Sequence, residues 1–199
     1  MPTIDTLDKL EALYDAPVTR SLTKVTPRIT PLYREWIGAC KFCVLSTVGA
    51  EGTDASPRGD DGPVIHIADD KTVWLPDWRG NNRIDSLRNI VRDPRVSLMF
   101  MIPGANNVIR LNGTAILTTD PQLTGTFEQA GKHPKLVIVI TVGELYFQCA
   151  KALMRSRLWS DDPRTKVPTA GQFVKEQDAG FDAETYDTGY AEYAKPRMW

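Results

Sequence analysis

Short strand-forming segments separated by turns constrain the fold of this 199-residue chain more than any other feature. Residues 135–150 form the longest of these segments, and within it Val137, Val139 and Thr141 alternate with Ile138 and Ile140. Such a period of two is typical of a β-strand. The other segments rich in β-branched and aromatic residues are 42–48, 53–58, 64–67, 72–75, 95–102 and 108–118.

Turns, rather than helices, separate most of these predicted strands. About six to eight antiparallel strands with two or three helices predict a mainly β fold with peripheral helices, arranged as a closed or split β-barrel. The chain has no regular strand–helix–strand alternation and no G-x-G-x-x-G motif, which disfavours a dinucleotide-binding α/β domain. Helical spacing and capping residues predict helices over 5–14, 30–40, 83–92 and about 120–130. The predicted apolar face comprises Leu32, Trp36 and Ile37 in the second of these helices, and Ile84, Leu87, Ile90 and Val91 in the third.

The chain divides into a body and a polar tail. Residues 1–159 are predicted to form one domain, with the N-terminal helices beside the barrel. Residues 160–199 contain Pro163, Pro168 and Pro196, together with several aromatic residues that a disordered tail usually lacks. We expect this extension to lie extended over the barrel or a partner subunit, with one short helix near 171–177.

Charge and hydropathy exclude several classes of partner. The formal net charge is -1, so no overall basic field attracts nucleic acid or an anionic membrane. Apolar runs such as Leu136–Ile140 are far shorter than a membrane-spanning helix requires. The acidic, amphipathic N-terminus lacks the basic and apolar regions of a signal peptide. We therefore expect a cytoplasmic protein.

The three cysteines, Cys40, Cys43 and Cys149, do not suggest a disulfide framework. Cys40 and Cys43 form a C-x-x-C motif, but the motif lies between a predicted helix and an apolar strand rather than at a helix N-terminus. His66 and His133 are isolated, so the motif has no second pair of zinc ligands. We interpret Cys40 and Cys43 as buried structural thiols and predict no metal site. His66 is interpreted as a structural histidine.

A group of arginines suggests a site for phosphate. A phosphomonoester prefers bidentate arginine and backbone N–H donors. Arg58 ends a predicted strand, and Asn81-Asn82-Arg83 are predicted to begin a helix whose free N–H groups favour an anion. Gly80 lets the backbone approach a ligand closely. The alternative is a surface loop with capping asparagines and solvated arginines.

Four motifs in order resemble the pyridoxamine 5'-phosphate oxidase-related FMN-binding family, and in particular a bacterial branch with PRGD and PD-x-x-GNNR signatures. They are Ser56–Asp60, Pro76-Asp77 with Gly80–Arg83, Ile109–Gly113, and Gln148–Lys151 with Arg155–Trp159. The resemblance covers residues 30–159. It implies an FMN-binding split β-barrel and a homodimer with FMN at the subunit interface.

The resemblance also implies roles for individual residues. Arg58 falls on the phosphate-binding arginine, and Arg83 replaces the lysine of the family's helix start. Pro76 and Asp77 fall on a strand end whose backbone faces the flavin, and Arg110 approaches the pyrimidine edge of the ring. The implied cofactor-binding residues are Arg58, Pro76, Asp77, Asn81, Asn82, Arg83, Arg110 and Gln148. Lys151 and Arg155 are candidate substrate-binding residues, and no catalytic residue is assigned.

The end of the last strand departs from the true oxidases, which carry Trp-Gln and then Arg-Leu-His-Asp-Arg. This chain has Phe147-Gln148 followed by Lys151, Arg155 and Arg157, which weakens the case for pyridoxamine-phosphate oxidation itself. The predicted function is an FMN-dependent oxidoreductase acting on a small, anionic substrate, with oxygen or a nicotinamide as second redox partner. The alternatives are a non-catalytic flavin- or haem-binding protein and a barrel without cofactor.

Two further features of the motif region are open to more than one interpretation. Trp78 either stacks on a ligand ring or packs at a dimer interface. Asp60 and Asp61 directly follow Arg58 and are interpreted as residues that orient this arginine rather than as acids or bases.

Overall fold

A computed structural model describes residues 1–160 and 167–199. In these residues seven strands form one antiparallel sheet in the order β2-β1-β5-β6-β7-β4-β3. The strands are β1 (Phe42–Gly49), β2 (Gly52–Gly59), β3 (His66–Ile67), β4 (Thr72–Pro76), β5 (Arg95–Phe100), β6 (Val108–Thr118) and β7 (Val137–Gln148). The predicted mainly β fold with peripheral helices is confirmed.

Along the sequence, the helices precede β1, separate some of the strands and follow β7. They are α1 (Leu7–Glu11), α2 (Thr19–Thr23), α3 (Pro31–Gly38), α4 (Asp85–Arg92), α5 (Pro121–Thr124), α6 (Lys151–Ser156), α7 (Ala170–Gln177) and α8 (Ala183–Ala194), followed by a short 3₁₀ turn (Lys195–Arg197). None of these described helices is long and apolar enough to cross a membrane.

A row of four leucines marks the centre of the core. Leu45, Leu98, Leu111 and Leu145 are direct neighbours across β1, β5, β6 and β7, and each is fully buried. Burying one such side chain contributes about 1.5–3 kcal/mol. The strand pairing is therefore specified by the apolar face, since a slip of one residue would expose the whole row.

Helix α4 packs against the same face of the sheet. Leu87 and Ile90 are buried there, and the Asn89 side chain donates a 3.0 Å hydrogen bond to the Thr47 hydroxyl. Of the helix face predicted from sequence, Ile84 and Val91 are exposed. Ile84 precedes the first residue of α4, so within the helix the sheet buries Leu87 and Ile90 and leaves Val91 exposed.

The sheet curls strongly enough to bring its distant strands together. In a flat sheet β2 and β4, five strand spacings apart in the order, would be separated by about 24 Å. Instead Arg58 at the end of β2 donates a 2.6 Å hydrogen bond to Asp77, directly after β4. A bulge at Asn112/Gly113 in β6 adds curvature. A Cβ atom on Gly113 would lie 2.0 Å from the Thr141 carbonyl oxygen, so only glycine fits the bulge.

Several predicted boundaries are wrong. The helix predicted over 83–92 begins at Asp85, the strand over 64–67 is reduced to His66–Ile67, and the helix over 120–130 is a single turn, Pro121–Thr124.

The first helices also bury less than their sequences predict. In α3, Leu32 is 79% exposed whereas Ile37 is buried, so the two do not share a buried face. The N-terminal helix covers only Leu7–Glu11 and buries none of its residues.

The C-terminal extension is helical rather than extended. The short helix predicted near 171–177 is confirmed as α7, which Thr169 and Gln172 cap reciprocally. The prediction for the remainder is wrong, because 12 residues form α8. Tyr186, Tyr190 and Tyr193 follow helical spacing, and their rings lie 5.5 and 6.4 Å apart in succession. Pro163 and its neighbours, residues 161–166, lie outside the described residues.

Candidate functional site

A cleft of about 910 Å³ opens where the curled sheet brings β2 and β4 together. Its walls are the end of β2, the loop after β4, the segment before β7 and the last two residues of the chain. Its lining includes Asp54, Ser56, Arg58, Gly59, Asp77, Trp78, Gly80, Asn81, Asn82, Arg83, Ser86, Lys132, His133 and Lys135. Its volume lies within the range of ligand pockets, about 300–1,000 Å³.

Arg58 is a largely buried cation in the wall of the cleft. It is paired in register with Cys43, so its side chain projects from the inner face of β2. One Nη donates to the Asp77 carboxylate at 2.6 Å, and the two side chains are only 18% and 19% exposed. The buried Nε atom has no hydrogen-bond partner. A buried donor without a partner is costly, so a small shift of the side chain that brought Nε to a ligand oxygen would be favourable.

Asp77, rather than Asp60 or Asp61, orients Arg58. Asp60 instead accepts 2.7 Å hydrogen bonds from the Trp78 indole and from the Gln129 amide. Asp61 lies 3.1 Å from the ammonium group of Lys41. The prediction that Asp60 and Asp61 hold Arg58 is therefore wrong, because the chain turns away at Gly59 and residues from distant segments meet there.

The loop between β4 and α4 differs from the predicted helix start. Asn82 and Ile84 both adopt positive φ, 61° and 53°, and Asn81 accepts a side-chain hydrogen bond from the Arg83 amide. Left-handed residues interrupt the helical hydrogen-bond pattern, so Arg83 lies before α4 rather than in its first turn. Asp85 occupies the first turn instead.

Arg83 is a solvated cation at the rim of the cleft. Its Nε donates a 2.9 Å hydrogen bond to Asp85, and its side chain is 77% exposed. Exposed ion pairs of this kind contribute little to stability, about 0–1 kcal/mol. Arg83 is therefore free to reorient toward a ligand at small energetic cost.

The two buried thiols lie beneath this site. Cys43 is fully buried, and burial raises the pKa of its thiol to about 12; the nearby Cys40 also raises this pKa, whereas Arg58 lowers it. Burial likewise raises the pKa of Cys40, whose Sγ donates to the carbonyls of Phe42 and Met101. The predicted burial of the C-x-x-C cysteines is confirmed, and Cys149 is exposed.

The remaining predicted site residues lie elsewhere on the chain. Arg110 projects from the face of β6 opposite Leu111, with its guanidinium carbon 5.5 Å from the centre of the Tyr146 ring. Gln148 ends β7, and Lys151 and Arg155 are exposed on α6. Within the described part of the chain, none of these four residues lines the cleft. The single chain thus brings together six of the predicted residues and leaves the other four apart. The six are Arg58, Pro76, Asp77, Asn81, Asn82 and Arg83.

Sequence reasoning missed the basic segment before β7 and the end of the chain. Lys132, His133 and Lys135 line the cleft, as do Met198 and Trp199. The run Gly131-Lys-His-Pro-Lys135 is a local signal, since it concentrates cations beside a turn. No local pattern indicates Trp199, because its place depends on how the C-terminal helices fold back.

His66 and Trp78 both have packing roles. The His66 ring stacks on Trp74 with a centroid separation of 4.8 Å. Trp78 lines the cleft, and its ring meets Trp199 edge-on with centroids 5.4 Å apart.

Residues 29–149 match the family model described as pyridoxamine 5'-phosphate oxidase. That match covers more than half of the chain. The chain belongs to the pyridoxamine 5'-phosphate oxidase family. No curated protein matches it.

Solved structures that resemble this chain are distant in sequence. HupZ of Group A Streptococcus is 20% identical, with a TM-score of 0.50 over 60% of this chain and 93% of that chain. A putative pyridoxamine 5'-phosphate oxidase from Lactobacillus delbrueckii is 17% identical, with a TM-score of 0.48 over 61% and 95% of the two chains. An FMN-binding protein from Syntrophomonas wolfei is 13% identical, with a TM-score of 0.45 over 58% and 83%. At such identity the HupZ match supports the split-barrel fold and nothing finer.

Proposed function

We propose that this family member binds FMN in the cleft and acts as an FMN-dependent oxidoreductase on a small, anionic substrate. The observation that carries the proposal is the buried Nε of Arg58, a donor without a partner at the wall of a cleft large enough for a cofactor. Membership of the family supports the choice of FMN over other phosphate-bearing ligands.

The residues of the cleft fit the phosphate of FMN. Arg58 would hold it through Nε, and Arg83 would reach it from the rim, while Asn81 and Asn82 lie in the same loop. Lys132 and Lys135 add positive charge. The backbone of Pro76 and Asp77 would face the ring. When bound, FMN supplies the two-electron chemistry, and oxygen or a nicotinamide is the proposed second redox partner.

The four residues outside the cleft motivate a homodimer with FMN at the interface. Arg110 and Gln148 are proposed to reach the cofactor of a second copy, where a cation beside the ring would favour the anionic reduced flavin. Lys151 and Arg155 are proposed to bind the anionic substrate from the same side. An interface site of this kind is physically reasonable for a small barrel with an incomplete cleft.

We also propose placement in the bacterial branch defined by the PRGD and PD-x-x-GNNR signatures. Its support is the presence of both runs, Pro57–Asp60 and Pro76–Arg83. Pro57–Gly59 and the whole of the second run line the cleft. Phe147 and the absence of Arg-Leu-His-Asp-Arg argue for a substrate other than pyridoxamine phosphate.

Absorption spectroscopy tests the cofactor directly. Protein mixed with FMN and passed through gel filtration is expected to retain the flavin bands. A Soret band in the purified protein would favour the haem-binding alternative. Loss of all flavin during filtration, with no thermal stabilisation by excess FMN, would contradict the proposal.

Arg58→Lys tests the phosphate contact while keeping a positive charge beside Asp77. Lysine lacks the Nε donor of the planar guanidinium, so FMN binding should weaken by about 1.5–3 kcal/mol in calorimetric titration. Arg83→Ala should cost less, because Arg83 is 77% exposed. Arg28→Lys is the matched control, since Arg28 is exposed and lies 3.9 Å from Asp70. Equal affinities for wild type and Arg58→Lys would remove Arg58 from the site.

A further inference from the structure

The end of the chain forms part of the cleft wall. Met198 and Trp199 line the same cavity as Arg58 and Asp77, although they follow a separate helical extension. The Trp199 ring meets the Trp78 ring at an interplanar angle of 77°, with centroids 5.4 Å apart. Edge-to-face pairs at this distance are favourable. The two indoles form one aromatic corner of the cleft.

Polar contacts from separate segments hold the Trp78 indole and the main chain at Trp199. The Lys132 ammonium donates to the main-chain oxygens of Pro196 and Trp199, at 3.2 and 3.1 Å. The Trp78 indole N–H donates to Asp60 at 2.7 Å, and Asp60 is held in turn by Gln129. The main chain at Trp199 and the ring that its indole meets are therefore both held by residues far away in the sequence.

Arg197 fixes the segment that carries Trp199. Its guanidinium lies 4.0 Å from the centre of the Tyr193 ring and donates a 2.7 Å hydrogen bond to the Tyr193 carbonyl. This joins the 3₁₀ turn to α8. The final residues thus continue from α8 to the cleft as a single strap, which we define as Ala183–Trp199.

Trp199 borders the cavity and does not fill it. With the indole in place the cleft still has about 910 Å³, enough for a cofactor-sized ligand. The cations Arg58, Lys132 and Lys135 also line this space. The combination suits a ligand that has an anionic group and a flat heteroaromatic ring.

We propose that Trp199 is a ligand-binding residue, and that the strap supplies the aromatic wall for the ring of a heteroaromatic phosphate bound in the cleft. The inference rests on the proposed function for its choice of FMN as the ligand. It adds a binding residue that lies outside the segment matching the family model, residues 29–149.

Calorimetric titration of the full chain with FMN tests the strap. Trp199→Ala is expected to raise the FMN dissociation constant about three- to tenfold, and Trp199→Phe to recover most of the loss. Phe173→Ala is the matched control, because it removes an exposed ring from α7, which contributes none of the described cleft residues. Hydrogen exchange of the peptide ending at Trp199 should slow when FMN binds the wild type.

The outcomes separate this inference from the proposed function. FMN that binds the wild type and Trp199→Ala equally well, with no change in exchange at the strap, overturns the inference alone. Tighter binding by Trp199→Ala also overturns it, because the indole would then obstruct the ligand. FMN that fails to bind the wild type overturns the proposed function and this inference with it. Circular dichroism and thermal unfolding without ligand check that each variant folds.

Discussion

Arg58 shows how one side chain can support the fold and a proposed binding site at once. Its Nη closes the barrel through Asp77, while its Nε remains buried without a partner. Leaving such a donor unpaired costs about 1–3 kcal/mol, and a ligand oxygen would recover that energy on binding. The same residue lowers the pKa of the Cys43 thiol, although the effect of burial on that pKa is larger.

At the scale of single residues, the cysteines give a testable prediction. At pH 8 the folded protein should react with a thiol-specific reagent at Cys149 only, because Cys40 and Cys43 are buried. Since the pKa of Cys43 is about 12 when folded, the folded state holds its proton more tightly than the unfolded state. Stability should therefore fall as pH rises from about 8.5, the usual pKa of cysteine, toward 12.

Counting the reacted thiols by mass spectrometry checks the prediction that only Cys149 reacts in the folded protein. Denaturation should expose all three cysteines. Rapid labelling of Cys43 in the native protein would contradict its burial, whereas a Cys149→Ser variant should show almost no native reaction.

At the scale of elements, α4 connects the core to the cleft. Its Leu87 and Ile90 enter the core, Asn89 bonds to Thr47, and Ser86 donates a 2.6 Å hydrogen bond to Asp54 at the cleft wall. The Asn89 side chain also packs against Gly49, where a Cβ atom would lie 2.2 Å from its amide oxygen. The position of α4, and with it the loop that precedes it, depends on these contacts.

Asn89→Ala tests this connection. The change removes a buried hydrogen bond and leaves the Thr47 hydroxyl without that partner, so unfolding free energy should fall by about 1–3 kcal/mol. Val91→Ala is a control in the same helix, since Val91 is 76% exposed, and should change stability by less than about 0.5 kcal/mol. Urea denaturation measures both, and equal midpoints for the two variants would show that the bond contributes nothing.

At the scale of the whole molecule, the predicted site residues fall into two groups that lie apart. Arg58, Asp77 and Arg83 meet in one cleft, while Arg110 lies on the opposite face of the sheet beside Tyr146. Ile116 lies on the same face of β6 as Arg110 and is 64% exposed. In the proposed dimer, a second copy that covers this face would bury Ile116 and bring its own cleft toward Arg110.

Light scattering after gel filtration tests the assembly. We expect a particle of twice the chain mass of 22.2 kDa. Ile116→Lys should shift it toward the monomer and weaken FMN binding in parallel, because the proposed site needs both copies. The exposed substitution Val91→Lys on α4 serves as the control. A monomer that binds FMN with undiminished affinity would contradict an interface site.

Much of the fold followed from local patterns, and much of the site did not. The extents of β1, β6 and α7 agree with the sequence prediction to within about one residue. The start of α4 was wrong because Asn82 and Ile84 adopt left-handed backbone conformations that helical periodicity does not reveal. The second C-terminal helix was missed because its tyrosines were interpreted as tail aromatics, although they follow helical spacing.

The sequence by itself determined the antiparallel β fold, the burial of the C-x-x-C thiols and a phosphate-binding hypothesis centred on Arg58. These depend on periodicity, composition and motifs, which act over a few residues. Only the tertiary structure decided that Asp77 rather than Asp60 holds Arg58, that Arg110 lies apart, and that Trp199 reaches the cleft. Curling of the sheet and folding back of the C-terminal strap set those contacts, because both bring together residues that are far apart in sequence.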